Sequence, residues 1–413
     1  MIRQDLSTNL TEVARAGSMS GLQPRQANVK VLVFLVSLVI SAAGLIAFDF
    51  FYTAAASRWN SKAAVNQHPC RVPDPVRHHA LKPNCASAEE FGGNSYAFST
   101  NSLGFRDEGI REVSVADARP RVLVLGDSFT EGMLAWRDSY VGKIAAHFPQ
   151  YDFLNGAVAL YSPSNDLNTT RIVLAKGVDI DEVLVFIGPG ELVYETAFYQ
   201  DADPSGTVSE RKRRSSSTPW YATWRFRLAK HFRLISDIAG VCDRFLVEHG
   251  YYYLPMETGN RFDAEDSAWP YRKVNESEAF PAGYLPLGVE GGIAKEEAKM
   301  TLLWRELKQQ NIPISVVVYP YPAQLVHDTT DSRHVRLWRQ WCEGKCKRFV
   351  SVFPAFFAVK EQCPSIQPGC WYLNFFTFGD MHYSPAGNAL VADAVIKSLE
   401  EDPPLKRPGT RRK

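Results

Sequence analysis

The segment VLVLGDSFTEGM, residues 122–133, constrains the fold most. An apolar run long enough for a buried strand ends in Gly-Asp-Ser and passes at once into a helical pattern. A strand that becomes a helix through so tight a turn is the unit from which α/β sheets are built. The turn sets Ser128 at an exposed corner, where the backbone N–H groups and dipole of the following helix point at any oxyanion that forms. Ser128 is therefore a candidate nucleophile. Serine is also a preferred helix N-cap, and the turn alone does not choose between the two roles.

The other end of the chain bears on the choice. FGDMHYSPAGNALVADAV, residues 378–395, carries Asp380 and His382 just ahead of an apolar-periodic C-terminal helix. Two residues apart in an extended loop, their side chains leave the backbone on one side, and a carboxylate can hold the imidazole. His382 is then placed to deprotonate Ser128. An isolated Asp-x-His is more often an ordinary loop histidine; paired with the Gly-Asp-Ser turn it completes a Ser-His-Asp set.

With these residues the chain resembles the SGNH, or GDSL-type, hydrolase superfamily, in which an early Gly-Asp-Ser supplies the nucleophile and a late Asp and His finish a triad. The resemblance covers residues 101–399 and includes NSLGFRDEGIREV, residues 101–113, which is similar to the segment preceding the nucleophile in many members. It implies a flavodoxin-like doubly wound parallel sheet, with Ser128 as nucleophile, His382 as base and Asp380 as its orienting group. The chain departs from the family pattern twice. Where the family shows Gly-x-Asn-Asp, this sequence reads Gly188-Pro189-Gly190-Glu191, so the oxyanion asparagine is missing. In LNGAVALYSPSN, residues 154–165, the family's oxyanion glycine falls on Leu160, which offers only its backbone N–H. Losing one such donor costs a serine protease about 3 kcal/mol of transition-state stabilisation. The N–H groups of Gly188 or Gly190 are the available substitutes.

Residues 31–48, VLVFLVSLVISAAGLIAF, form an uncharged apolar run that spans about 27 Å as a helix and reads as a membrane anchor. A cleaved signal peptide is the competing reading, but the run is long for one and its leader is extended. Arg3, Arg15, Arg25 and Lys30 precede it, while Arg58 and Lys62 follow, which favours a cytoplasmic N-terminus and an exported remainder. Six of the 7 cysteines fall into short-range candidate pairs, Cys70 with Cys85, Cys342 with Cys346 and Cys363 with Cys370, leaving Cys242 over. Such pairing suits an oxidising compartment. Cys70, His78, His79 and Cys85 match no common zinc spacing, and no metal is expected.

Lys plus Arg, at 46, balance Asp plus Glu, at 45, so no global field favours nucleic acid. The expected organisation is a cytoplasmic tail (1–30), the membrane helix (31–48), an exported spacer (54–100), a catalytic domain (101–399) with an insertion at about 190–292, and a tail (400–413). Strands are expected near residues 122–125, 152–154, 183–187, 314–319 and 349–353. Helices are expected over 139–147, 164–176, 295–310, 334–341 and 385–399, an α/β pattern. The insertion contains a helical stretch near 220–247 and many aromatics, among them Trp220, Tyr221, Trp224, Tyr251, Tyr252, Tyr253, Trp269 and Tyr271. One or two of these are candidates for stacking on a sugar, although packing is the commoner use of such side chains. Asp127 is read as ordering the turn and Glu131 as a first-turn acid favoured by the helix dipole. His327, His334 and Arg336 are read as surface or helix-face packing, since Arg333, Arg336 and Arg339 recur at the helical spacing of a solvated face.

Together these features point to an ester hydrolase anchored in a membrane, needing no cofactor and acting on O-acyl, chiefly O-acetyl, esters of a cell-surface glycan. An O-acetyltransferase shares the first half-reaction but needs an acyl donor from across the membrane, and hence a multi-span partner. A glycan-binding module that has lost activity with its oxyanion donors is the alternative from a different class.

Overall fold

The computed structural model describes residues 24–59, 69–203, 206–210, 232–249 and 287–406. The chain divides into two units, residues 1–63 with 227–237, and residues 64–226 with 238–413. The first unit holds the helix Pro24–Trp59. Its stretch Val29–Ala54 has a mean hydropathy of 2.8, and its apolar side chains are exposed. Lys30 and Asp49 are its only charged residues, so it is long and apolar enough to cross a membrane.

The second unit is built on a sheet. Its strands, in chain order, are β1 (Arg71–Asp74), β2 (His78–Leu81), β3 (Ala86–Phe91), β4 (Asn94–Thr100), β5 (Arg106–Asp107), β6 (Arg121–Leu125), β7 (Asp152–Asn155), β8 (Glu182–Ile187), β9 (Tyr199–Asp201), β10 (Val208–Glu210), β11 (Ile314–Val318) and β12 (Arg348–Ser351). Eight of them form one sheet in the order β12-β11-β8-β6-β7-β5-β4-β3. Pairing is parallel from β12 through β7, and these strands taken in sequence have the flavodoxin-like order 2-1-3-4-5. The runs of β6, β7, β8 and β11 are buried on both faces, as a parallel sheet between helices requires, and the edge strand β12 is half-buried. Along β6, Val122 and Val124 enter one core cluster while Leu123 and Leu125 enter the other, the period-2 alternation of a strand.

The expected parallel strands and the helices that separate them are present, with ends shifted by a few residues. The helices include Tyr140–His147, Pro163–Ala175, Gly288–Gln309, Arg333–Cys342 and Pro385–Glu401. The segment expected to be a spacer behaves differently. Beyond β7 the sheet continues through β5, β4 and β3 in antiparallel pairing, so residues 86–100 belong to the same sheet as Ser128. The burial of β3 alternates between exposed and half-buried, which is how an antiparallel strand with one wet face reads. Its two glutamates and one serine give little apolar signal. β1 and β2 form a separate hairpin.

The cysteines pair as Cys70–Cys85, Cys342–Cys346 and Cys363–Cys370, and Cys242 is free and exposed. Bonded to each other, Cys70 and Cys85 are not available as metal ligands. In the insertion, the helix Arg233–Glu248 is described; Trp220, Tyr221, Trp224, Tyr251, Tyr252, Tyr253, Trp269 and Tyr271 lie outside the described residues.

Candidate active site

In an open sheet of this order, the crevice for a ligand opens at the carboxyl ends of the strands where the winding reverses. Here that point lies between β6 and β8, followed respectively by Gly126-Asp127-Ser128 and Gly188-Pro189-Gly190. Gly126 adopts φ 143°, and a Cβ there would lie 2.9 Å from the Phe186 carbonyl. Only glycine lets the chain turn this close to β8.

Asp127 is the N-cap of the turn Ser128–Glu131. Its carboxylate accepts the Phe129 N–H at 2.9 Å, the Tyr319 hydroxyl at 2.8 Å and the Tyr321 hydroxyl at 3.3 Å. Burial raises its pKa above the ordinary carboxylate value in spite of these bonds. Its contacts are those of an anchor for the turn. Ser128 is 8 % exposed, more enclosed than a corner position implies, because the His382 ring closes over it.

Ser128, His382 and Asp380 form one hydrogen-bonded chain. Ser128 Oγ lies 2.7 Å from His382 Nε2, and His382 Nδ1 lies 2.5 Å from Asp380 Oδ1. With a carboxylate accepting from Nδ1–H, Nε2 is left to accept the serine proton. The loop is not extended: the His382 backbone N–H also donates to Asp380 Oδ1 at 2.8 Å, an Asx turn that brings carboxylate and ring together. Burial raises the Asp380 carboxyl, but attraction to His382 and the bonds it receives outweigh this, and its pKa is lowered overall. Phe129 stacks on the His382 ring at 4.4 Å between centroids, and Phe91 meets it edge-on at 5.2 Å. Both rings restrict the imidazole to the plane that reaches serine.

The oxyanion candidates sit on the neighbouring strand ends. Leu160, in the loop after β7, has φ 69°, a left-handed conformation uncommon outside glycine. Its side chain is 44 % exposed, and its backbone N–H has no acceptor among the described residues. Gly190 packs against Tyr321, whose hydroxyl would be 2.6 Å from a Cβ at that position, and its N–H likewise meets no acceptor among the described residues. Gly188 is already engaged, its N–H donating to Glu191 Oε1 at 3.1 Å. Glu191 is fully buried, and burial raises its pKa well above the ordinary value.

No protein-family model matches the sequence, and no curated protein matches it. Among solved structures the chain is similar to a catalytic mutant of Axe2, an acetylxylan esterase from Geobacillus stearothermophilus, at 15 % identity and a TM-score of 0.37 over 71 % of this chain and 100 % of that one. It is similar to the psychrotrophic esterase EstA from Pseudoalteromonas sp. at 10 % identity and a TM-score of 0.35, over 68 % and 97 % of the two chains. LAE5, an alpha/beta hydrolase enzyme from the metagenome of Lake Arreo, matches at 12 % identity and a TM-score of 0.36, over 70 % and 98 %.

Several side chains take roles that their sequence positions do not announce. His334 is fully buried, its Nε2 3.1 Å from the Ile187 carbonyl; Arg336, on the same helix, is exposed beside Asp331, as a solvated face requires. Tyr319 and Tyr321, in the Tyr-Pro-Tyr-Pro run after β11, carry the contact with Asp127. Alternating tyrosines at a strand's carboxyl end were the available signal. Glu131 is more than a first-turn acid: it is 3 % exposed and pairs with Arg71 of β1 at 3.0 Å.

Proposed function

We propose that this protein is a membrane-anchored, SGNH-like serine esterase that removes O-acyl groups, chiefly O-acetyl, from a cell-surface glycan. The observation that carries the reading is the continuous chain from Ser128 Oγ through His382 to Asp380, at 2.7 and 2.5 Å. Ser128 Oγ attacks the ester carbonyl as His382 Nε2 takes its proton, and Asp380 holds the ring and offsets its new charge. The tetrahedral oxyanion is received by the N–H groups of Ser128, Leu160 and Gly190. His382 then returns the proton to the departing alcohol. In the second half the same histidine deprotonates water, which releases the acid from the serine. The N-terminal helix holds the enzyme at a membrane with its N-terminus cytoplasmic, and the cysteine pairs fit an exported catalytic unit. A substrate at the cell surface follows from that placement.

Purified full-length protein in detergent should release acetate from an aryl acetate and from O-acetylated polysaccharide, and Ser128→Ala should abolish both. Full turnover by folded Ser128→Ala would sink the mechanism. Acetyl transfer to an added sugar in preference to water would replace hydrolase by transferase while leaving the serine chemistry intact.

A further inference from the structure

The loop that presents Leu160 is gripped from one side by the β1–β2 hairpin, which lies outside the stretch resembling a hydrolase. His79 of β2 has its Nε2 2.8 Å from the carbonyl oxygen of Ala159, the carbonyl of the same peptide unit whose N–H belongs to Leu160. The N–H of Ala159 itself donates to the Glu131 carboxylate. That carboxylate is held by Arg71 of β1, whose Nη2 lies 3.0 and 3.1 Å from its two oxygens. Ala159 is thus fixed at its acceptor by β2 directly and at its donor by Glu131, which β1 holds through Arg71. The Tyr161 hydroxyl adds a third tie, donating to the His79 carbonyl at 2.7 Å.

The chemistry of His79 suits this use. Burial pulls its pKa down to about 4, so the ring is neutral at physiological pH and carries one N–H. Nε2 faces a carbonyl, which only accepts, so the proton sits there. Nδ1 lies 3.0 Å from Nδ1 of His78 and accepts from it. A hydrogen bond to a peptide carbonyl polarises the amide and strengthens its N–H as a donor. It also fixes the rotation of the peptide plane, which a left-handed residue without glycine's freedom must have imposed on it.

We propose that His79 is a positioning residue for the oxyanion hole: by donating to the Ala159 carbonyl it holds and polarises the Ala159–Leu160 peptide, so that the Leu160 N–H is presented to the oxyanion in a chain that has glycine, Gly190, where the asparagine donor is expected. This inference rests on the serine-esterase reading. It assigns to a hairpin read from sequence as spacer the task of completing the catalytic centre. Arg71, through Glu131, is the second arm of the same clamp.

The test is steady-state kinetics of the full-length protein on an aryl acetate, with Ser128→Ala as the blank, for three substitutions. His79→Gln keeps an N–H near the place of Nε2; His79→Asn is polar but too short to reach; His79→Leu fills the space without a donor. Oxyanion donors removed outright cost about 10²–10³ in kcat. A donor left in place but misaligned should cost less, about 10-fold to 10²-fold in kcat for His79→Asn and His79→Leu, with KM unchanged. A boronic acid that mimics the tetrahedral state should lose affinity in parallel, and His79→Gln should restore both towards wild type. Should His79→Leu fail to fold, the Gln and Asn pair carries the comparison alone. Serine-dependent turnover with kcat unchanged in His79→Asn, or a loss that His79→Gln does not relieve, would overturn the clamp and leave the esterase standing. Wild-type protein without Ser128-dependent turnover would overturn both.

Discussion

His334 gives the sharpest quantitative test of the packing beneath the site. It lies on the helix Arg333–Cys342, fully buried, with Nε2 3.1 Å from the carbonyl of Ile187 at the end of β8. Burial lowers its pKa from 6.5 to about 4, against the opposing effect of the Ile187 bond. Because the folded value lies below the unfolded one, the unfolded chain takes up a proton between these values that the folded chain refuses. Stability from this group is therefore present near neutral pH and is lost as the pH falls through that window. The ratio of the two proton-binding terms gives a loss of about 2 kcal/mol between pH 7 and pH 5. His334→Gln does not titrate and keeps an N–H for the Ile187 carbonyl. Urea denaturation of both proteins at the two pH values isolates the contribution, since other titrating groups, His79 among them, cancel in the double difference. Wild type should be ahead of His334→Gln by about 2 kcal/mol more at pH 7 than at pH 5. A gap that is the same at both pH values would show that this histidine is not held neutral in the fold, and the burial argument would be wrong.

Other outcomes follow from the same geometry. Asp380→Asn leaves the ring without the carboxylate that fixes its tautomer, and kcat on an aryl acetate should fall by about 10³–10⁴ with KM little changed. Leu160→Gly should keep kcat within a factor of about three, because the backbone N–H remains and the positive φ suits glycine; Leu160→Pro, with no N–H and φ fixed near −65°, should lose about 10² or more. Glu296 is fully buried, and burial followed by the charges of Glu195 and Glu297 raises its pKa well above the ordinary value, with Lys295 opposing. The folded chain then holds a proton that the unfolded chain has shed, so this group costs stability as pH rises through its folded pKa. Glu296→Gln should accordingly raise the thermal midpoint at pH 8, by roughly 2–4 °C for each kcal/mol relieved.

The parallel half of the sheet was legible because each of its strands is a short apolar run between turn signals, and runs such as Val183–Ile187 admit little else once helices flank them. The β3–β5 extension was not. Its outer strand, Ala86-Ser87-Ala88-Glu89-Glu90-Phe91, alternates only weakly, and β5, which joins the extension to β7, has just two residues, so that pairing is set by tertiary contact rather than by local pattern. The Ser128, Asp380 and His382 positions stood out through motif and order, whereas the groups around them did not. Tyr319 and Tyr321 reach Asp127 across more than 190 residues of sequence, and no spacing rule connects them. Phe91 meets the His382 ring from a segment whose sequence reads as spacer. In sequence His79 stands out only for its place among Cys70, His78 and Cys85; with those sulfurs bonded to each other, its ring is turned to a backbone carbonyl. The replacement of the expected Asn-Asp by Gly190-Glu191 was visible in sequence, but the fate of Glu191, buried with its carboxylate on Gly188 N–H, needed the folded chain.

The central claim is that His382 activates Ser128. Full-length protein in detergent, treated with a fluorophosphonate and digested for peptide mass spectrometry, tests it directly. The account predicts a single covalent adduct on Ser128 in wild type and its loss in His382→Ala. Folded wild-type protein without an adduct at Ser128, or labelling that persists at full rate in His382→Ala, would contradict it.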